Sequence, residues 1–220
     1  MSRTHLFADL KRYQQFWIDT APAYPSRDAA EESRIWSAFY QFAEERPDGF
    51  ERHCEPGHIT GSALVLDPEG RQVLLMHHRK LDKWLQLGGH ADGDTRVDRV
   101  ANKEAQEESG LSRLEWIRYD LPDQLPGQVD RPLPFDLDIH WIPARKGEPA
   151  HRHYDVRYLL RLAQPEPIRR NAEAKELRWV PLHEASQWTE ERSMQRQFQK
   201  VAYLQEQGLC PAGAGPIDNR

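Results

Sequence analysis

Residues 88–111 read GGHADGDTRVDRVANKEAQEESGL, with three glutamates, Glu104, Glu107 and Glu108, close together near the end. The spacing predicts a helix over 95–109: Val97, Val100, Ala101, Ala105 and Leu111 recur at intervals that place them on one side of a helix. On the same wheel the three carboxylates continue the apolar stripe, while Arg99, Asn102, Lys103, Gln106 and Ser109 take the opposite side. An ordinary wet acidic face would lie opposite the valines. Carboxylates turned toward the protein body repel one another and are costly to desolvate, so the pattern demands a positive partner. That partner is either an Arg/Lys cluster or a bound cation. Oxygen ligands at i, i+3 and i+4 suit a hard divalent ion, Mg2+ or Mn2+. Ahead of the helix, Gly88 and Gly89 let backbone come close to a ligand. Asp94 or Thr95 stands where a helix cap is expected.

Outward from this stretch, HITGSALVLD (58–67) and RQVLLMHHR (71–79) read as strands joined by a PEG turn. KWLQL (83–87) is a short extended piece leading into the glycine pair. Further strands are expected at 114–119, 135–142, 153–162 and 176–182, then a last helix over 183–206. Upstream, Leu6, Leu10, Tyr13 and Trp17 mark a helix over 4–18, and Ile35, Phe39 and Phe42 a second over 27–45. Pro22, Pro25 and the Pro47–Gly49 turn punctuate them. Residues 1–50 thus read as a helical appendage, 57–206 as the main domain and 207–220 as a flexible tail. The apolar faces of the appendage must pack on the rest of the chain or on a second subunit, the latter giving a homodimer. Strands and helices mix without regular βαβ alternation, which predicts an α+β, mixed-sheet sandwich.

The chain has 220 residues, with 30 Lys and Arg against 35 Asp and Glu, a formal charge of −5. This mildly acidic balance argues against general binding of nucleic acid, though not against a local basic pocket for a phosphorylated small molecule. Cys54 and Cys210 lie far apart and form no metal or redox spacing, which points to a reducing compartment. The N-terminus has no apolar core of signal-peptide length, and no apolar run approaches the roughly 20 residues of a membrane span. The expectation is a cytoplasmic protein.

A second polar group lies in PFDLDIHWIPARKGEPAHRHYDVRYLL. Strand alternation puts Asp136, Asp138 and His140 on one face of its first strand, and His151, His153, Asp155 and Arg157 on one face of its second. If the two faces coincide, His140, His151, His153 and Arg157 line a pocket able to meet phosphate. Histidine and aspartate are also common metal ligands, and a mixed polar face exposed to water is the third reading. Near the glycine pair, Arg79 is a further candidate for a phosphate. Trp84 and Trp141 are candidates for stacking on a base, although core packing is the usual role of tryptophan.

The opening stretch resembles the Nudix box, usually written GX5EX7REUXEEXGU with U a bulky apolar residue. Gly89 matches the first glycine, Glu104 the glutamate of RE, Glu107 and Glu108 the EE pair, and Gly110–Leu111 the closing GU, with full spacing kept. KWLQLGG looks like the family's W-x-x-PGG entry, and ELRWVPLHEA like its last strand and the start of its last helix. The resemblance covers about residues 57–206. Thr95 stands at the first glutamate of the box with Asp94 one residue earlier, Lys103 replaces arginine, Leu87 stands where proline is common, and Ala105 is a small U residue. The resemblance implies a Nudix-type αβα sandwich around a mixed sheet, carrying the N-terminal helical appendage. It also implies Mg2+- or Mn2+-dependent hydrolysis of a small molecule in which a nucleoside diphosphate is linked to another group. By match to the box, Glu104, Glu107 and Glu108 are metal ligands and the Gly89 carbonyl a fourth. Glu104 would double as the base, Lys103 would take the place of the arginine, and Glu173 or Glu176 would supply a carboxylate from the loop before the last strand. Substrate choice would lie in loops outside the box, including residues 119–134. Two alternatives share the fold: a non-catalytic sensor or binding protein, and an isopentenyl-type diphosphate isomerase. The latter carries a cysteine just after the strand leading into the site, where this chain reads LGGHAD.

Overall fold

The computed structural model describes residues 3–20, 29–119, 131–145, 147 and 149–212. Pro22, Pro25, residues 120–130 and the tail from 213 onward lie outside the described residues. Two N-terminal helices, α1 (Thr4–Tyr13) and α2 (Ala29–Glu45), precede β1 (Gly57–Leu66), β2 (Gln72–His78), β3 (Lys83–Leu85) and β4 (Leu87–His90). Helix α3 (Val97–Ser109) follows, then β5 (Leu114–Trp116), β6 (Asp136–Ile142), β7 (His151–Leu162), β8 (Ala174–Pro181) and α4 (Arg192–Glu206).

The helix expected over 4–18 changes after Tyr13 into a π-helical stretch, Gln14–Thr20. The helix expected over 183–206 divides into a 3-10 segment, Leu182–Gln187, and α4, with Thr189 Oγ1 accepting the Glu191 N–H at 3.3 Å in the break. Helix α3 begins at Val97 rather than 95, and no side chain caps it. Asp94 instead accepts the Arg96 N–H at 2.8 Å, closing the turn ahead of the helix.

The sheet is mixed. Strand β1 pairs in parallel with β7 and antiparallel with β2 and β4, while β5 and β6 pair antiparallel with β7, β3 and β8 with β2. Alternation along β1 then assigns the layers. Gly61 faces α3, so closely that a Cβ there would stand 2.8 Å from the Val97 carbonyl oxygen and 3.2 Å from the Ala101 nitrogen. Thr60 and Ser62 face the other way, where their hydroxyls donate to Asp155 at 2.8 and 2.7 Å. On that side Asp136 accepts from Arg196 and Lys200 of α4. Helices therefore flank both faces of an α+β mixed sheet. Gly61→Ala is expected to cost about 1–3 kcal/mol, since the methyl meets helix backbone that cannot swing aside. Chemical denaturation measures this, and an unchanged midpoint would refute the close packing of α3 on β1.

The apolar faces of the N-terminal helices pack on this same chain. Leu6, Leu10, Tyr13 and Trp17 are buried in one core with the sheet. Trp17 meets Tyr119 and Phe135 edge-on at 5.8 and 6.0 Å, and Phe42 stacks on Tyr154 at 3.7 Å. Among the described residues, no helix is long and apolar enough to cross a membrane.

Candidate active site

The glycine pair and the acidic helix meet because β4 pairs with β1, Gly88 opposite Ser62 and Gly89 opposite Gly61. At Gly88 a Cβ would stand 2.7 Å from the Ser62 Cα, so the pairing admits no side chain there. The Gly88 N–H donates to Glu108 Oε2 at 2.8 Å. A Cβ on Gly89 would stand 2.5 Å from Glu104 Cδ and 2.6 Å from its Oε2. The second glycine of the pair thus leaves the space that the Glu104 carboxylate fills.

The three glutamates of α3 are not equally placed. Glu108 is buried at 2 % exposure, and the side chains of Glu104 and Glu107 are 21 % and 55 % exposed. The expectation that all three continue the apolar stripe therefore holds for Glu104 and Glu108 and fails for Glu107, which sits at the stripe's edge and reaches water. Lys103 lies beside both, 3.7 Å from Glu104 and 3.6 Å from Glu107. Ser109, expected on the wet face, is buried, its hydroxyl donating to the Ala105 carbonyl and accepting the Leu111 N–H.

Glu173, from the loop before β8, lines the same cleft as Glu104. Burial pushes the Glu108 carboxyl up to about 8 against the pull of the Gly88 N–H, with Glu104 and Glu173 adding repulsion. Burial also raises Glu104; Lys103 opposes the shift, and Glu107 and Glu173 add to it. Carboxyls lifted by desolvation and by one another are the donor set a hard divalent cation satisfies, and such a cation would displace the Glu108 proton on binding. Glu176, the other candidate from this region, ion-pairs with Arg178 and does not line the cleft.

The cleft has a volume of about 310 Å3. Met76, His78 and Lys80, alternating along β2 and beyond its end, line it, as do Arg145, His90, His140 and His153. Arg79 is turned away: its guanidinium donates to the carbonyls of Ala172 and Ala174 at 2.9 and 3.1 Å, and its N–H to that of Glu173 at 2.8 Å. It holds the Glu173 loop rather than a phosphate. Parity along β2 would have singled out Lys80 in its place. Arg145 had no comparable signal, because it lies in the connection between β6 and β7, where no periodicity applies.

The register brings the two polar faces of that hairpin together, with Asp136 opposite Arg157, Asp138 opposite Asp155 and His140 opposite His153. The stripe nevertheless divides in two. Arg157 is buried and donates to Asp155, Asp136 and Asp138 at 2.8, 3.2 and 2.9 Å, so it is part of an internal ion cluster and not a phosphate ligand. His140 and His153 reach the cleft, and His151 is buried beside His153. Trp84 stacks on His77, and Trp141 is 58 % exposed on the face opposite His140; neither lines the cleft. Cys54 is buried outside the cleft, its thiol pushed up to about 11 by burial, which leaves the isomerase reading without its cysteine.

A family profile described as the NUDIX domain matches residues 56–201. The search of curated proteins found no significant match. Among solved structures, a NUDIX-family hydrolase from Clostridium perfringens is similar at 22% identity and a TM-score of 0.53, over 67% of this chain and 97% of its own. A Caenorhabditis elegans Ap4A hydrolase, solved as a binary complex, is similar at 15% identity and a TM-score of 0.51, over 68% of this chain and 98% of its own. At these identities the likeness is one of fold.

Proposed function

The chain belongs to the NUDIX-domain family, and from that premise we propose that it is a metal-dependent hydrolase cleaving a diphosphate bond in a nucleoside-diphosphate-linked or related small molecule. The observation that carries this reading is the meeting of Glu104 and Glu173 in one cleft, with Glu108 buried behind them and Lys80 and Arg145 on the same walls. Carboxylates that need a cation, beside cations that need an anion, fit a metal–diphosphate substrate.

A divalent cation held there would supply charge neutralisation at the phosphate and acidification of water. Glu104, Glu107 and Glu108 would hold Mg2+ or Mn2+, with Glu107 closing in from the helix edge and the Gly89 carbonyl beside Glu104. Glu104, raised by its surroundings yet open to the cleft, takes the proton of the attacking water. Lys103 offsets the charge of Glu104 and Glu107 and steers them without the planar fork of an arginine. Glu173 would supply a second carboxylate to the same cleft. Lys80, Arg145 and His140 would contact the phosphates or the leaving group.

The test is hydrolysis by the purified protein, with Mg2+ or Mn2+, of nucleoside diphosphate sugars, dinucleoside polyphosphates, ADP-ribose, NAD(H) and nucleoside triphosphates. Dinucleoside polyphosphates are included because a similar fold is that of an Ap4A hydrolase. Metal-dependent cleavage of at least one compound is expected, and its loss in Glu107→Gln. No cleavage across the panel, or undiminished activity in the variant, would count against the enzyme reading.

A further inference from the structure

Beside the acidic residues, five histidines crowd one corner of the sheet, and His90, His140 and His153 among them line the same cleft. His58 on β1 lies opposite His153 on β7, and His153 lies opposite His140 on β6. His151 precedes His153 by two residues on the same face of β7, and His90 on β4 approaches both His58 and His153 at 5.0 Å between ring centres. The ring at the centre packs on its neighbours, but its nitrogens go unmatched. His58 is 2 % exposed, and neither its Nδ1 nor its Nε2 has a hydrogen-bond partner. Leaving buried polar atoms unmatched is costly, so such an imidazole calls for a ligand.

We propose that His58, His151 and His153 form a binding site for a zinc-class transition metal, separate from the glutamates of α3. One nitrogen from each ring lies within 4.8 Å of the other two. His151 Nε2 and His153 Nε2 are 3.2 Å apart. Two nitrogens bound to one tetrahedral zinc at about 2.0–2.1 Å stand about 3.3 Å from each other. The Nδ1 of His151 lies 2.9 Å from the Pro149 carbonyl oxygen, to which it donates. That bond fixes the tautomer, leaves the Nε2 lone pair facing the cluster, and is the outer support metal-bound histidines usually have.

The donor atoms choose the metal. Three imidazoles suit Zn2+, Co2+, Ni2+ or Cu2+, whereas the carboxylates of α3 suit Mg2+ or Mn2+. The two sites differ in hardness and are addressed by different ions. His90 and His153 also line the cleft, so the three-histidine group borders the space a substrate would enter.

The experiment uses untagged, full-length protein stripped with chelator and titrated with Co2+. The intense visible bands of four- or five-coordinate Co2+ are expected, saturating at one ion per chain and persisting in excess Mg2+. X-ray absorption on the wild-type zinc-loaded protein counts the ligands and requires no variant; three imidazoles are expected. Outer-shell partners alone are worth about 10–100-fold in affinity, so His58→Gln and His153→Gln are each expected to weaken Co2+ binding by more than about 100-fold. Glu108→Gln should leave the bands in place. The proposal is overturned if the wild-type protein shows only weak octahedral bands, if its zinc is bound by oxygen alone, if a folded His58→Gln binds Co2+ unchanged, or if Glu108→Gln abolishes the bands.

Discussion

Gly89→Ala is expected to lose about 100-fold in kcat/KM while its unfolding midpoint stays near that of the wild type, a loss typical of a catalytic group misplaced by about 1 Å. The added methyl would stand 2.5 Å from Glu104 Cδ. That carboxyl is the free end of a flexible side chain, so it moves rather than the backbone; little stability is lost, and the carboxylate leaves its position. Glu104→Gln, which keeps shape and removes charge, is expected to fall further, by about 10²–10⁴-fold, the range a positioned acid–base group contributes. Steady-state kinetics on the substrate found in the panel, alongside thermal unfolding, measures both. Wild-type turnover in Gly89→Ala would exclude the observed position of Glu104 as the working one. A large fall in its midpoint would mean that the glycine serves the sheet instead.

Asp136→Ala is expected to destabilise the fold by at least about 3–5 kcal/mol, because removing one member of a buried ion cluster leaves the others uncompensated. Asp136 and Lys200 are 0 % exposed, and Asp136 accepts from Lys200 at 2.7 Å, from Arg196 at 2.9 Å and from Arg157 at 3.2 Å. Through Lys200 the cluster reaches Tyr13 and Glu32 of the N-terminal region, so it ties the N-terminal helices to α4 and β6. Urea unfolding reads the loss, and a cost below 1 kcal/mol would place this cluster with surface ion pairs. The same cluster sets the acid limit. Burial would raise Asp136 and Asp138; Arg196 and Lys200 about the first, and Arg157 and His140 about the second, hold both below the usual carboxylate range. A carboxyl depressed in the folded state contributes stability that is present above its unfolded value, about 3.9, and lost as the pH falls below it. Unfolding free energy should therefore drop steeply below about pH 4, and the drop should shrink in Asp136→Ala.

Much of the acidic helix was legible because its information is local. A 3.6-residue period places Glu104 and Glu108 in line with Val97 and Ala101 whatever else the chain does. Glu107 and Ser109 were misplaced for one reason: a wheel assigns an azimuth, and the neighbours at that azimuth decide burial. Gly110, at φ 69°, turns the chain at the end of α3, and Ser109 is folded under it with its hydroxyl on Ala105. Glu107 found open water at its own azimuth.

Residue order, period and spacing by themselves carried the resemblance to the family, the α+β class and the polar faces of the β6–β7 hairpin. All of these follow from helix and strand repeats and from a box whose members are close in sequence. Only the tertiary structure decided what each polar group faces. Pairing of β1 with β7 put His58 beside His153; the packing of α4 enclosed Arg157 among aspartates; the return of β8 along β2 spent Arg79 on the Glu173 loop and left Lys80 to the cleft. Those outcomes depend on contacts between residues 60 to 109 positions apart, where no local period reaches and where burial and charge compensation settle which side chain is structural and which is free to meet a ligand.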